Sequence, residues 1–280
     1  MKSNRVGISA LLVAMLLLAV AVVPVSAQKQ VSDIGTKEKE MEKKLAQNKD
    51  SQIDQQKAEE IRKELDKTVR KDIENSLRNV TTDVRILSWD TVNLGTDRTF
   101  LSADYGNKGS GTWGVAPWWY GSDYYLSSRK AEASSLVGPA GVGGVNAWSY
   151  AGKQFYVSGT GSRSANIRMA GHIWGLTTSA LSATSYAEIN LVLWDASTAT
   201  RYSTNIYTRT EGGAGWTEAN FDFNNGLGVN LQSGHYYIAY LELITEATVY
   251  GSGEAGSDFG RFDGDYSGEG VWYNSIIVDF

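Results

Sequence analysis

The chain has 280 residues, with 26 Lys and Arg against 31 Asp and Glu, a net charge of −5, three prolines and no cysteine. Without thiols, disulfides, thiolate catalysis and cysteine metal ligands are all excluded. The charge is uneven: beyond residue 79 there are 11 Lys and Arg against 19 Asp and Glu, an acidic balance that repels phosphate backbones and argues against nucleic acid as a partner.

Residues 1–27 read as a signal peptide. Lys2 and Arg5 form a basic start, Ile8 to Val23 is nearly all apolar, and Val25-Ser26-Ala27 offers small residues for cleavage. An uncleaved anchor is the alternative, because the apolar run approaches the length that spans a bilayer. Only in that case is a membrane a partner. Export, to the medium or the cell surface, is expected either way, and a cysteine-free exported domain suits a prokaryotic source.

Residues 28–79 carry 13 Lys and Arg and 12 Asp and Glu, with no aromatic residue and no proline. Ala58, Ile61, Leu65, Val69, Ile73, Leu77 and Val80 recur at steps of three and four, which is the period of a helix with one narrow apolar stripe. Glu59 with Lys63 and Asp66 with Arg70 are favourable pairs four apart. So thin a stripe does not stabilise a helix alone in water. A second copy of the chain, giving a homo-oligomer, or the Met41/Leu45 portion folded back would supply the partner. A solvated linker is the remaining alternative. In each case the segment is expected to act as a helical, coiled-coil-like spacer.

Residues 80–280 hold all 31 aromatic residues and 28 of the 30 glycines. Alternation dominates here. Ala187, Ile189, Leu191 and Leu193 form one apolar set, Ala165, Ile167, Met169 and Ile173 another, and Tyr237, Ala239, Leu241 and Leu243 a third. Further strands are expected at Val84–Trp89, Thr99–Tyr105, Val145–Tyr150, Gln154–Ser158, Thr200–Thr208, Glu218–Phe223 and Val271–Phe280. Many short strands between polar turns predict a mainly β chain, an antiparallel two-sheet, jelly-roll-like β-sandwich behind the N-terminal helical spacer.

Several motifs test for chemistry. "GSGEAG" (Gly251 to Gly256) matches G-x-G-x-x-G, but the acidic, glycine-rich run after it cannot supply the helix that a dinucleotide site needs. His172 and His235 have no histidine or acidic residue within four positions, so neither spells a metal motif. "SDFGRFDGDYSGEG" is the richest candidate. Asp263, Asp265 and Ser267 stand at positions 1, 3 and 5 of a calcium loop, Gly268 at 6 and Glu269 at 7. Position 12 is Asn274 in place of the closing glutamate, so Asp258 is the candidate replacement. The alternative is an acidic turn held open by glycines.

"TWGVAPWWYGSDYY" gathers Trp113, Trp118, Trp119, Tyr120 and Tyr124. If the segment is extended, adjacent Trp118 and Trp119 face opposite sides, and one indole is left for a ligand. Exposed indoles beside acidic and amide groups suit the apolar faces of sugar rings. Packing against another chain is the alternative. Together these features point to a secreted or surface binding module for a glycan or a cell-surface protein. An extracellular carbohydrate-active enzyme and a self-assembling envelope protein are the other readings.

Overall fold

The computed structural model describes residues 55–78, 89–260 and 269–280. The expected signal peptide, the first part of the charged region, and Asp263, Asp265 and Ser267 lie outside the described residues, which fall within one compact unit, Asp54–Phe280. The fold is mainly β with one N-terminal helix, α1 (residues 55–78). Eleven strands follow among the described residues: β1 (Asp90–Asn93), β2 (Arg98–Phe100), β3 (Tyr105–Gly114), β4 (Trp118–Tyr125), β5 (Lys130–Val137), β6 (Ala140–Ser158), β7 (Ser162–Asp195), β8 (Thr200–Gly212), β9 (Gly215–Gln232), β10 (Tyr236–Phe259) and β11 (Gly270–Asp279).

All the strands share one hydrogen-bonded network, yet it folds back on itself because β7 and β10 run through both halves. In the first half β3 pairs with β6, β6 with the start of β10, β10 with the end of β7, and β7 with β8. In the second, β4 pairs with β5, and β5 with the end of β10 and the start of β11. Both of those pair in turn with the first part of β7, whose other edge carries β9. The pairing is antiparallel throughout except for β1, which lies parallel to the end of β6.

Both long strands bend where they leave one half for the other. Leu181 in β7 takes φ 56°, and Gly253 opposite it in β10 takes φ 128°, beside a register shift between Val249 and Gly253. Beyond the bend, Ile189, Leu191, Leu193, Leu241 and Leu243 point at Ile167, Met169, Ile173, Val271 and Ile276, all buried in one cluster. The two halves therefore pack as two layers around a common core.

The stripe of α1 finds its partner in this chain. Val69, Ile73 and Leu77 are buried against Tyr150, Val192, Trp194, Ile238, Tyr240 and Ile244, on the outer side of the first half. Gly144 of β6 permits close approach: a Cβ there would lie 2.7 Å from Leu65 Cδ1. Over residues 55–78 the expected spacer is thus a third layer of the fold. β7 and β10 are buried on both faces for that reason, and the expected one-sided alternation fails at Val192 and Trp194. Asp66 pairs with Arg70 as anticipated, at 3.1 Å, whereas Glu59 takes Arg62 at 2.9 Å.

One turn is also reassigned. The end of β10 and β11 occupy the same lane beside β7: Asp258 faces Leu176, and Gly270 faces Trp174. The acidic stretch between them is an excursion out of one central strand lane, so it does not link two neighbouring strands. Its ends close together, since a Cβ on Gly260 would come 2.7 Å from the Glu269 carbonyl oxygen.

Candidate binding surface

The aromatic run folds as the edge strand β4, bonded to β5 on one side. Its even positions share the inner face: Trp118 faces buried Val137, Tyr120 faces buried Ser135, and Tyr124 faces buried Ala131. Trp119 faces Leu136 and Tyr125 faces Lys130 on the outer face. The edge position leaves both sides in contact with solvent, with Trp118 39%, Trp119 51% and Tyr120 44% exposed. Both neighbouring indoles are therefore available, where alternation alone leaves one.

Trp118 and Tyr120 form a ring pair with centroids 5.5 Å apart and planes 32° apart. Tyr124 continues that row but is occupied locally, its ring packed against Gly106 of β3, where any side chain would collide with it. Ser122, between them, donates to the Gly109 carbonyl at 3.2 Å, which ties β4 to β3 across the open edge. Lys108 and Asp123 add an ion pair at 3.0 Å on the same rim. Trp113 does not join the group. β3 runs without a register break, so Trp113 shares the face of Tyr105, which packs toward α1. It is 46% exposed on the opposite side of the molecule's edge.

Trp216 is a single indole in a stretch with no local aromatic pattern, yet on β9 it is 63% exposed. Only its register in the sheet, which local pattern does not encode, gives it a place. The histidines likewise take partners that no spacing reveals. His172 Nδ1 lies 2.7 Å from Asp222 Oδ1, and His235 Nδ1 lies 2.9 Å from Asp195 Oδ2. Those partners are 50 and 40 residues away in sequence, beyond the reach of any spacing motif.

Carboxylates do converge at one place, but under α1. Arg70 Nη2 donates to Glu188 Oε2 at 2.6 Å, Arg201 holds Glu242 with two bonds at 2.9 and 2.7 Å, and Arg62 reaches Glu246 at 3.4 Å. Burial pushes Glu242 up, but the charge and hydrogen bonds of Arg201 outweigh it and hold the carboxyl below its ordinary range. Burial dominates at Glu246, whose carboxyl is pushed up to about 8. Chemically this cluster fastens the helix to the sheet.

Among the described residues, no group of three or more His, Asp or Glu is arranged to hold a metal ion. Of the calcium candidates, Asp258 accepts bonds from Ser134 and, at 3.1 Å, from the Gly260 N–H, while Glu269 stands at the other mouth of the excursion.

No protein-family model matches the chain, and no curated protein matches it in sequence. Among solved structures it is similar to the CBM22-1–GH10 modules of Clostridium thermocellum endo-1,4-beta-D-xylanase 10B complexed with xylohexaose, at 12% identity and TM-score 0.20, over 61% of this chain and 26% of that one. The enzymatically active domain of bacteriophage CBA120 tailspike protein 4 follows at 14% identity and TM-score 0.19, over 60% of this chain and 19% of that one. A xylan-binding domain from CBM 22 is similar at 16% identity and TM-score 0.15, over 50% of this chain and 86% of that one. The chain thus spans about a quarter of the first of these structures and a fifth of the second. Likeness at these scores says nothing of this chain's ligand.

Proposed function

We propose that this is an exported, non-catalytic binding protein whose ligand is a glycan, held by the exposed rings of β4. The observation that carries the reading is the edge strand itself: Trp118, Trp119 and Tyr120 follow one another, all are more than a third exposed, and they serve both faces of the strand. Soluble proteins rarely leave several large rings together in water unless something covers them. Rings with a polar rim suit a partner that is apolar on its ring faces and rich in hydroxyls at its edges. Here Asp123, Lys108 and Ser122 supply that rim.

The test is a pull-down of the purified chain on insoluble polysaccharides and on a bacterial cell-wall fraction. Trp118→Ala and Tyr120→Ala are expected to remove binding and leave the melting temperature within a few degrees of the parent, because both side chains are well exposed. A large loss of stability in both variants would make these rings packing elements and overturn the reading.

A further inference from the structure

We infer that the outer face of the second half is an extended binding track for a linear, uncharged polysaccharide, which crosses the strands from Trp119 to Trp216. The inference rests on the glycan reading and adds the ligand's shape and charge. It adds a second contact, on the face of Trp119, to the Trp118–Tyr120 pair.

The track is a line of register partners. Trp119 of β4 faces Leu136 of β5, Leu136 faces Gly256 of β10, Gly256 faces Thr178 of β7, and Thr178 faces Trp216 of β9. Register partners project to the same side of a sheet, so all five share the outer face. Four strand-to-strand steps set the two indoles roughly 19 Å apart at their backbones. Between them the floor is low. Gly256 has no side chain and is buried against half-buried Leu136, whose Cδ1 would lie 3.0 Å from an added Cβ there, and Thr178 is buried with its hydroxyl turned to the Gly215 carbonyl at 3.3 Å. A chain of rings can lie on that floor with an exposed indole at either end.

Sheet twist fixes the ligand's form. Strands rotate about the direction perpendicular to them, so a row across the strands stays straight while its outward direction turns by about 20–25° at each strand, a course that a polymer twisting along its length can follow. A single extended polymer follows the straight row, whereas a flat crystalline surface would meet only part of it. Charge fixes the class. Asp258 lies one row along, in the lane of Gly256, and exposed Glu218 stands two residues from Trp216 on the same face. Carboxylates accept bonds from sugar hydroxyls and repel uronate, sulfate or phosphate groups. An uncharged polysaccharide meets both conditions.

The experiment is affinity electrophoresis of the full chain in native gels containing hydroxyethylcellulose, xylan, soluble starch or dextran, with polygalacturonate as the anionic counterpart. At least one uncharged polymer is expected to retard the parent, and polygalacturonate is not. Trp119→Ala and Trp216→Ala are each expected to weaken retardation by about tenfold or more, and Trp216→Tyr to restore most of it. Retardation lost in Trp118→Ala and Tyr120→Ala but unchanged in Trp216→Ala would overturn the track and leave the glycan reading standing. No retardation of the parent by any polymer would remove both. Stronger retardation by polygalacturonate would overturn the assignment of charge.

Discussion

Arg62 of the helix lies over Tyr186 at 4.2 Å and also reaches Glu246, its Nη1 3.4 Å from Oε2, at the centre of the sheet beneath. Glu246 is fully buried, and its other oxygen has no hydrogen-bond partner among the described residues. A carboxylate so placed is half compensated: one oxygen meets a cation at long range and the other meets nothing.

That geometry predicts a pH dependence with a definite sign. Burial raises the Glu246 carboxyl to about 8, against the attraction of Arg62 and Arg70 and with help from Asp66 and Glu188. The folded state then binds more protons than the unfolded state between the ordinary carboxylate range and pH 8. Stability contributed by the protonated form is present at low pH and is lost as pH rises through that window. Chemical denaturation of the parent minus Glu246→Gln, measured from pH 5 to 8.5, is expected to fall by about 1–3 kcal/mol. A flat difference would mean that the carboxyl is ionised and satisfied throughout.

Helix packing makes a second prediction. Ile73 is fully buried among sheet residues, whereas Leu65 is only partly covered. Ile73→Ala is expected to cost about 2–5 kcal/mol and Leu65→Ala distinctly less. Ile73→Asp should release the helix and expose Trp148, Tyr150 and Tyr240, which would appear as self-association in size-exclusion chromatography. Urea midpoints that are equal for Ile73→Ala and the parent would return the segment to a solvated linker.

The bend between the halves gives a third. Leu181 holds φ 56° while 57% exposed, so its side chain gains little packing to offset a left-handed backbone. Leu181→Gly is expected to leave stability unchanged or raise it by about 1 kcal/mol. Gly253 stands opposite at φ 128°, where an added Cβ would strike the Ala180 carbonyl. Gly253→Ala is expected to lose about 2 kcal/mol or more. Thermal melts of the two variants should therefore move in opposite directions or, at the least, differ by several degrees.

The helix stripe and the core strands could be read from the sequence because their periods are local. Ile189, Leu191 and Leu193 announce a buried face without help from the rest of the chain. The glycine-rich strand β3 leaves no such trace, since a strand whose faces carry Gly106, Gly109 and Gly111 shows no alternation. Its glycines serve rings from elsewhere, Tyr124 on Gly106 and Trp148 on Gly109. β5 leaves none either, because Ala131, Ala133, Ser134 and Ser135 are small on both faces. β7 shows in the sequence as two separate apolar sets, Ala165–Ile173 and Ala187–Leu193, because the Gly-, Thr- and Ser-rich run between them carries no apolar alternation. The candidate surface was legible in part: composition marked β4, but the alignment of Trp119 with Trp216 depends on four consecutive strand registers, and no local pattern records that.

The last prediction concerns the acidic excursion. Asp263, Asp265 and Ser267 lie outside the described residues, but the mouth is fixed: Gly260 meets Glu269, and Asp258 is bonded to Ser134 and to the Gly260 N–H. The excursion starts and ends within one strand lane, and its three carboxylates, Asp263, Asp265 and Glu269, with Asp258 at its mouth, repel one another unless something offsets them. A hard cation with oxygen ligands does so, and sites of extracellular modules bind calcium at about 10⁻⁴–10⁻³ M. A ligand held only by the folded state adds about 2.7 kcal/mol at a hundredfold excess over its dissociation constant. Melts of the full chain in calcium, in magnesium and in EDTA provide the readout. Calcium is expected to raise the midpoint, magnesium to raise it less, and Asp263→Ala with Asp265→Ala to remove the difference. Asp258→Asn is expected to lower the midpoint in EDTA as well, because its carboxylate also closes the turn at Gly260. If the parent melts identically in calcium and in EDTA, the excursion holds no ion, and its glycines and the clasp at Gly260 are what shape it.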